Sequence, residues 1–214
     1  MNDYLQPSDV IDWRHPEIMA LAARLRAEST DIPALARACF TFVRDEIHHS
    51  LDYRMNPVTW RASDVLRHRT GYCYAKSHLL AALLRANDIP AGFCYQRLSL
   101  DDKGAPYSLH GLNAMHLPSG WYRVDARGNR PGIDAQFRPP IEQLAFPINL
   151  PEEADFPGIL AEPLPVVINA LQSQSTWDAL LQNLPDITLA AAHACGLTTR
   201  VSETTPSQSR SESE

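Results

Sequence analysis

The chain has 214 residues, 44% of them hydrophobic, and its formal net charge is -6. That length and hydrophobic content suffice for one cored domain. An acidic balance without a stripe rich in Lys and Arg argues against nucleic acid as a substrate or partner. The N-terminus has no basic flank before an apolar core, and no apolar run is long enough to span a bilayer. We therefore expect no membrane partner and a cytoplasmic location.

Apolar residues recur at helical spacing in the first half of the chain, which predicts helices at residues 17–27, 33–48, 63–68 and 72–87. Asp31 is the expected N-cap of the second helix, with Pro33 in its first turn, and residues 53–60 read as a Pro-containing loop. Alternating patterns separated by turn residues predict strands at residues 91–98, 109–117 and 121–126. We expect these strands to form a small antiparallel sheet packed on the helix at 72–87.

The second half of the chain is rich in proline, and residues 130–165 are expected to wrap the core as irregular strand and loop. A helix is predicted over residues 166–184 and a short final helix over residues 187–197. From about residue 203 the chain is rich in Ser, Thr and Glu without apolar anchors, which predicts a disordered tail over 203–214. Residues 1–200 then form a single domain.

The segment Gly71-Tyr72-Cys73 places a cysteine at the start of the apolar helix. With Thr70 as the expected N-cap, Cys73 lies in the first turn, where unpaired amides and the helix dipole favour a thiolate. A cysteine in that position is often only a small core residue, so its neighbours decide the interpretation. The four cysteines are widely separated and include no CxxC pair, so we expect no metal and no cofactor.

His110 and Asp125 are candidates for the base and for the residue that orients it. If Leu117 pairs with Gly120 across the turn, His110 becomes a diagonal neighbour of Asp125 on one face of the sheet. A three-residue loop would instead put the two side chains on opposite faces. His116 shares the face of His110 and is expected to be structural. The histidines in helical context are expected to be solvated or buried structural groups: His48, His49, His68 and His78.

These residues resemble the transglutaminase-like superfamily, whose members use Cys, His and Asp to form a thioester and pass the acyl group to an amine or water. Four features carry the resemblance: Gly71-Tyr72-Cys73, the apolar helix that ends in Asp88-Ile89-Pro90-Ala91, the strand led by His110, and Val124-Asp125. They span about residues 35–130. The resemblance implies an α+β fold with a papain-like core and catalytic Cys73, His110 and Asp125. The expected substrate is a peptide, a protein or a small amide.

The segments Ile11-Asp12-Trp13-Arg14-His15-Pro16 and Asp125-Ala126-Arg127-Gly128-Asn129 resemble a bacterial subgroup of small, single-domain members of this superfamily. Two positions depart from the family's usual pattern. Gly111 stands where an aromatic residue commonly follows the histidine, and Ala126 stands where Pro often follows Val-Asp. Neither departure removes a catalytic atom, but both alter the expected acyl pocket.

The resemblance also implies an oxyanion hole made by the backbone amide of Cys73 and one upstream donor, for which Trp60 and Tyr53 are both candidates. Arg127 lies on the strand face of Asp125, where it is a candidate for binding an anionic substrate group or pairing with Asp125. Lys76, one turn after Cys73, is a candidate for holding the thiolate or a substrate carboxylate, although a solvated helix lysine is the commoner case.

Two other functions remain open from the sequence. One is a binding or scaffolding protein that uses the same fold without turnover. The other is a thiol redox sensor centred on Cys73, for which Cys94 would be the resolving cysteine.

Overall fold

The computed structural model describes residues 1–194 and residue 197. After a 3-10 turn at Asn2–Leu5, its helices are α1 Pro16–Ala27, α2 Ile32–Glu46, α3 Ser50–Tyr53, α4 Ala62–His68, α5 Cys73–Arg85, α6 Pro165–Ser173, α7 Trp177–Leu181 and α8 Leu189–Ala194. Its strands are β1 His48–His49, β2 Thr70–Gly71, β3 Ala91–Ser99, β4 Tyr107–Leu117, β5 Gly120–Val124, β6 Gln136–Arg138, β7 Ile141–Gln143 and β8 Ala154–Leu160. The fold is α+β, as the sequence predicts.

Helix α5 is the centre of the core, and all of its residues are buried. Helices α1, α2 and α4 contact it, and so do β3 and β4 of a four-stranded antiparallel sheet with the order β5-β4-β3-β8. A helix enclosed by other elements needs apolar residues around most of its circumference, which explains the continuous Leu and Ala run of its second half. The predicted packing of sheet on helix is confirmed.

The pairing of β4 with β5 follows the first of the two predicted registers. Leu117 is opposite Gly120 and Met115 is opposite Tyr122, so a two-residue turn joins the strands. Gly120 has a φ of 111°, a conformation that glycine adopts without the steric cost of a Cβ. Strand β5 ends at Val124, opposite Asn113, whereas β4 extends six residues further toward its own start at Tyr107.

The segment 130–165, for which the sequence predicts irregular strand and loop, contains strand β8. This strand pairs with β3 as the edge of the main sheet, and the pairing slips between Phe93 and Tyr95. The slip falls where β8 carries Pro157 and Gly158. Proline is tolerated on an edge strand or at a bulge, so Pro157 is compatible with its position in β8.

The helix boundaries are partly as predicted. Asp31 caps α2, because its Oδ1 accepts a hydrogen bond from the Ala34 amide at 2.8 Å. The single helix expected over residues 166–184 is wrong: the chain breaks between α6 and α7, where Thr176 Oγ1 accepts from the Ala179 amide at 3.4 Å and begins a new helix. The end of the final predicted helix and the predicted tail lie outside the described residues.

Among the residues that the structure describes, no helix has both the length and the apolar character required to cross a membrane.

Gly111 allows the start of α5 to approach β4 closely. A Cβ on Gly111 would lie 3.0 Å from Tyr74 Cδ1, 3.2 Å from Tyr74 Cα and 3.4 Å from the Tyr74 amide nitrogen. Two of those three atoms belong to the backbone of the helix and cannot turn aside. The departure from the family's aromatic residue at this position is therefore tied to the separation of helix and strand.

We expect Gly111→Ala to lower the free energy of unfolding by about 1–3 kcal/mol, because the added methyl group forces the helix and the strand apart. Urea unfolding followed by circular dichroism measures the change. Gly158→Ala is the matched control, since its Cβ meets only the flexible end of Leu197 at 3.3 Å. Equal effects of the two substitutions would contradict a special constraint at Gly111.

Candidate active site

Cys73 is the first residue of α5 and is 7% exposed. The expected N-cap, Thr70, is wrong: Tyr72 occupies that position, and Thr70 belongs to β2, where its hydroxyl bonds the hydroxyl of Ser50 and the carbonyl of His48. The backbone amide of Cys73 donates instead to Nε2 of His49 at 3.2 Å. Cys73 thus lies in the first helical turn, as predicted, but a histidine ring takes the place of the side-chain cap.

The sulfur of Cys73 lies against the open edge of β4. The amide of Gly111 donates toward Sγ at 3.5 Å, and the amide of Leu109 donates to the carbonyl of Pro185 at 2.8 Å. Residues two apart on a strand direct their amides to the same side. Because β5 has already ended at Val124, these two amides have no partner strand, and one of them is available to the thiol.

His110 and Asp125 meet as the register predicts. His110 Nε2 and Asp125 Oδ2 are 2.7 Å apart, and the carboxylate is fully buried. Asp125 also accepts hydrogen bonds from the amides of Arg127 at 3.1 Å and Ala145 at 3.1 Å. With Nε2 engaged by the carboxylate, the imidazole keeps Nδ1 for the thiol of Cys73.

The electrostatics of this group favour an imidazolium. Burial alone would lower the pKa of His110, but the charge of Asp125, the sulfur of Cys73 and hydrogen bonds to both raise it to about 10. Burial would likewise raise the pKa of Asp125, but His110 and the amides of Arg127 and Ala145 lower it. The raised pKa of His110 and the lowered pKa of Asp125 both favour the charged forms, and together they describe one buried ion pair.

The segment that precedes β8 covers this pair. The ring of Phe146 stands edge-on to the His110 ring, with centroids 5.0 Å apart and planes at 88°. The carbonyl of Phe146 accepts from Gln96 Nε2 at 3.3 Å. Together with the Ala145 amide, these contacts exclude water from one side of the histidine.

A cavity of about 450 Å³ opens onto Cys73 and His110. Its apolar wall includes side chains from separate segments of the chain: Leu51, Leu98, Leu109, Ile133, Phe146 and Leu184. Its charged lining residues are Arg127, Arg130, Asp102 and Glu153. The arrangement provides a nucleophile, an adjacent proton carrier and space for an acyl donor.

The chain matches the transglutaminase-like superfamily over residues 19–126, half of its length. It belongs to that superfamily. Membership supports thiol-dependent catalysis in general. No match was found among curated proteins.

Solved structures similar to this transglutaminase-like chain include a candidate cysteine protease from Cytophaga hutchinsonii, with 22% identity and a TM-score of 0.48, over 58% of this chain and 40% of the other. The periplasmic domain of TgpA from Pseudomonas aeruginosa is also similar, with 25% identity and a TM-score of 0.42, over 57% of this chain and 45% of the other. The same domain bound to ethylmercury gives 24% identity and a TM-score of 0.42, over 57% of this chain and 46% of the other. The match spans less than half the length of each.

The predicted substrate-binding residues of this transglutaminase-like chain do not all lie in the cavity. Arg127 lines the cavity, but its guanidinium pairs with Asp52, at 2.7 and 3.0 Å, and not with Asp125. The alternative of a solvated Lys76 is wrong, because the side chain is fully buried. Its Nζ donates to the carbonyl of Arg44 at 3.2 Å and to that of Ile47, and is not directed to the thiol.

The two candidate upstream oxyanion donors are not brought to Cys73. Tyr53 is 60% exposed and stacks on His48, and Trp60 contributes its carbonyl to Nδ1 of His78 at 2.7 Å. Neither side chain lines the cavity that contains Cys73.

Sequence reasoning missed His49, which was grouped with the solvated or structural histidines. Its Nε2 accepts from the Cys73 amide, so Nδ1 holds the ring proton; Nδ1 lies 3.9 Å from Asp52 Oδ2 and has no hydrogen-bond partner among the described residues. Burial, and then the charges of Arg127 and Lys76, hold the pKa of His49 well below 6.5. His49 reaches the start of α5 because β1 pairs with β2. Residues 48–49 and 70–71 are too short to be recognised as strands in the sequence, so this proximity could not be predicted.

The cysteine proposed as a redox partner lies apart from this site. Cys94 packs with Leu112 and Ala114 in a separate apolar cluster, and both Cys73 and Cys94 are free thiols. On β3, Cys94 alternates with Phe93 and Tyr95, which belong to the core around α5. Cys94 therefore faces away from the body of the helix that carries Cys73.

We expect Asp125→Asn to lower the pKa of His110, because the substitution removes the charge that raises it most strongly. A folded pKa raised above the unfolded value stabilises the protein at low pH. That stabilisation is fully present below about pH 6.5 and is lost as the pH rises through about 10. An NMR titration of the His110 ring measures the shift, and an unchanged pKa in the variant would rule out coupling to Asp125.

Proposed function

We propose that the chain is a thiol-dependent enzyme that transfers or hydrolyses an acyl group of a peptide, protein or small amide through a thioester on Cys73. The observation that carries this proposal is the placement of Cys73 Sγ beside the Gly111 amide and His110, with His110 held by Asp125 at 2.7 Å. A cysteine activated by a histidine, which a third group orients, is the arrangement that nucleophilic catalysis requires.

The first half of the reaction makes the thioester. The Cys73 thiolate attacks the carbonyl carbon of the acyl donor, a C–S bond forms, and the carbonyl π pair moves to oxygen. When the tetrahedral intermediate collapses, the C–N bond breaks and His110 gives its proton to the departing amine. Asp125 stabilises the imidazolium and fixes the ring so that Nε2 faces the carboxylate.

The oxyanion needs donors at the start of α5. The Cys73 amide is the first, and in the resting protein it donates to His49 Nε2 at 3.2 Å. The incoming carbonyl oxygen must therefore take the place of this ring nitrogen before the amide can stabilise the intermediate. The opening of the site is thus coupled to a small movement of His49.

The second half of the reaction returns the thiol. His110, now neutral, removes a proton from water or from an amine, whose lone pair attacks the thioester carbon, and the C–S bond breaks. Water makes the enzyme an amidase or peptidase, and an amine makes it an acyltransferase.

We expect Cys73 to react with iodoacetamide at neutral pH and His110→Ala to slow that reaction by about tenfold or more near pH 7, since the thiolate loses its counter-ion. Intact-mass and peptide analysis against pH identify the modified residue. Cys39 and Cys94 are internal controls, because burial raises the pKa of each thiol to about 12. A Cys73 that is inert, or indifferent to His110, would favour the binding-protein alternative.

We further expect p-nitrophenyl acetate to release a burst of p-nitrophenol and leave one acetyl group on Cys73, because the activated thiolate attacks an ester as it attacks an amide. Stopped-flow absorbance and mass spectrometry measure both products. Cys73→Ala, which replaces the thiol group with a hydrogen atom, should give no burst. Competition between water and added methylamine for the acetyl group then separates hydrolysis from transfer, and a burst without acetyl-Cys73 would place the nucleophile elsewhere.

A further inference from the structure

Two arginines of the catalytic cavity share a single carboxylate. Arg127 binds Asp52 through both terminal nitrogens, and Arg130 Nη1 lies 3.5 Å from Asp52 Oδ1. Both arginines line the cavity that contains Cys73. Two positive charges thus meet one negative charge there, and the group is not neutral.

Neighbouring groups do not cancel this excess. Lys76 lies nearby, its Nζ close to Gly128, and its hydrogen bonds go to neutral carbonyls, so it adds no negative charge to the group. The nearby carboxylates have their own partners, since Asp45 pairs with Arg44 at 2.7 Å and Asp125 pairs with His110. Burial, and then the charge of Arg127, lower the pKa of Lys76 to about 7.

The two arginines differ in their exposure to solvent and in how closely their contacts hold them. The Arg127 side chain is 5% exposed, and its guanidinium lies over the ring of Phe146, 5.6 Å from the centroid. Phe146 in turn packs on His110, which joins the arginine to the reacting group. The Arg130 side chain is 54% exposed, and its contact with Asp52 is the longest of the three. Arg130 can leave Asp52 without exposing a buried charge, because Arg127 keeps the carboxylate paired.

The cavity lining also carries negative charge. Glu153 and Asp102 line the cavity, as do Ser99 and Leu100. The Glu153 carboxylate accepts hydrogen bonds from three backbone amides, those of Ser99, Asn149 and Leu150. The arginines attract a negatively charged ligand and these carboxylates repel it, so the position beside Arg127 and Arg130 is favoured for an anion in the cavity.

We propose that Arg127 and Arg130 form an anion subsite of the cavity, and that the substrate of Cys73 carries a carboxylate near its scissile carbonyl. The proposal rests on the proposed function for the reaction, and on Arg127 and Arg130 for the substrate class. The planar fork of a guanidinium matches the two oxygens of a carboxylate, and the half-exposed Arg130 supplies that fork. A peptide carboxyl terminus or the amide of a small dicarboxylic acid has this chemistry.

The first test compares iodoacetate with iodoacetamide, which differ only by a carboxylate in place of a carboxamide. The quantity measured is the rate of Cys73 alkylation by iodoacetate divided by the rate with iodoacetamide, at constant pH and ionic strength. We expect Arg130→Gln to lower the ratio by roughly threefold to tenfold, the range of a charge-assisted contact at a half-exposed arginine. High salt should reduce the difference. Arg138→Gln is the matched control, because Arg138 is exposed and lies outside the cavity.

The second test does not depend on the reactivity of Cys73. Thermal unfolding of Cys73→Ala is followed with succinate or succinamide, with chloride added to equalise ionic strength. We expect stabilisation by succinate alone, and its loss in Cys73→Ala with Arg130→Gln but not with Arg138→Gln. If Cys73 proves inert while succinate still binds through Arg130, the reaction fails and the subsite stands.

The subsite is overturned if Arg130→Gln leaves both the alkylation ratio and the effect of succinate unchanged. It is also overturned if succinate and succinamide stabilise the protein equally. Arg127→Lys provides a second variant, which keeps the charge beside Asp52 but loses the fork, and it should weaken succinate binding less than Arg130→Gln does.

Discussion

The early end of β5 is the constraint on which the candidate site depends. β5 stops at Val124 while β4 continues to Tyr107, which leaves the amides of Leu109 and Gly111 without a partner strand. One of these amides meets the sulfur of Cys73, and the start of α5 can come this close only because Gly111 has no side chain. Alternation along β4 points Gly111 toward α5 and His110 to the other face, so sulfur and imidazole meet around the open strand edge.

The buried carboxylate of Asp125 ties distant parts of the chain to this edge. A fully buried ion is costly unless several groups compensate it. Asp125 receives the imidazole from β4, the amide of Arg127 from the loop that follows β5, and the amide of Ala145 from the segment after β7. Each donor comes from a different element, so the charge fixes the position of the segment that carries Phe146 over His110. The same contacts that make the carboxylate tolerable therefore shape the wall of the cavity.

Local patterns in the sequence were enough to predict the features that depend on neighbours in the chain. The turn residues predicted two alternative registers, one of which brings His110 to Asp125, and the apolar run of α5 predicted a helix packed against the sheet. His49 and Lys76 could not be placed in this way. A histidine among charges and a lysine in a helix are usually solvated, and their burial follows from the pairing of two-residue strands and from the carbonyls at the end of α2. The sequence predicted irregular strand and loop around Pro157 but not the pairing of β8 with β3, because that pairing joins segments far apart in the chain.

Burial and access separate the three described cysteines. Cys39 and Cys94 are fully buried, and desolvation raises the pKa of each thiol to about 12, so neither forms an anion near neutral pH. Cys73 is nearly as buried, but its sulfur borders a cavity and lies beside His110 and the Gly111 amide, which donates to it. A low-polarity site destabilises an isolated thiolate and stabilises a thiolate that is paired with an imidazolium, because attraction between charges strengthens as water is excluded. Burial therefore keeps Cys39 and Cys94 in the thiol form, and it makes the reactivity of Cys73 depend on His110.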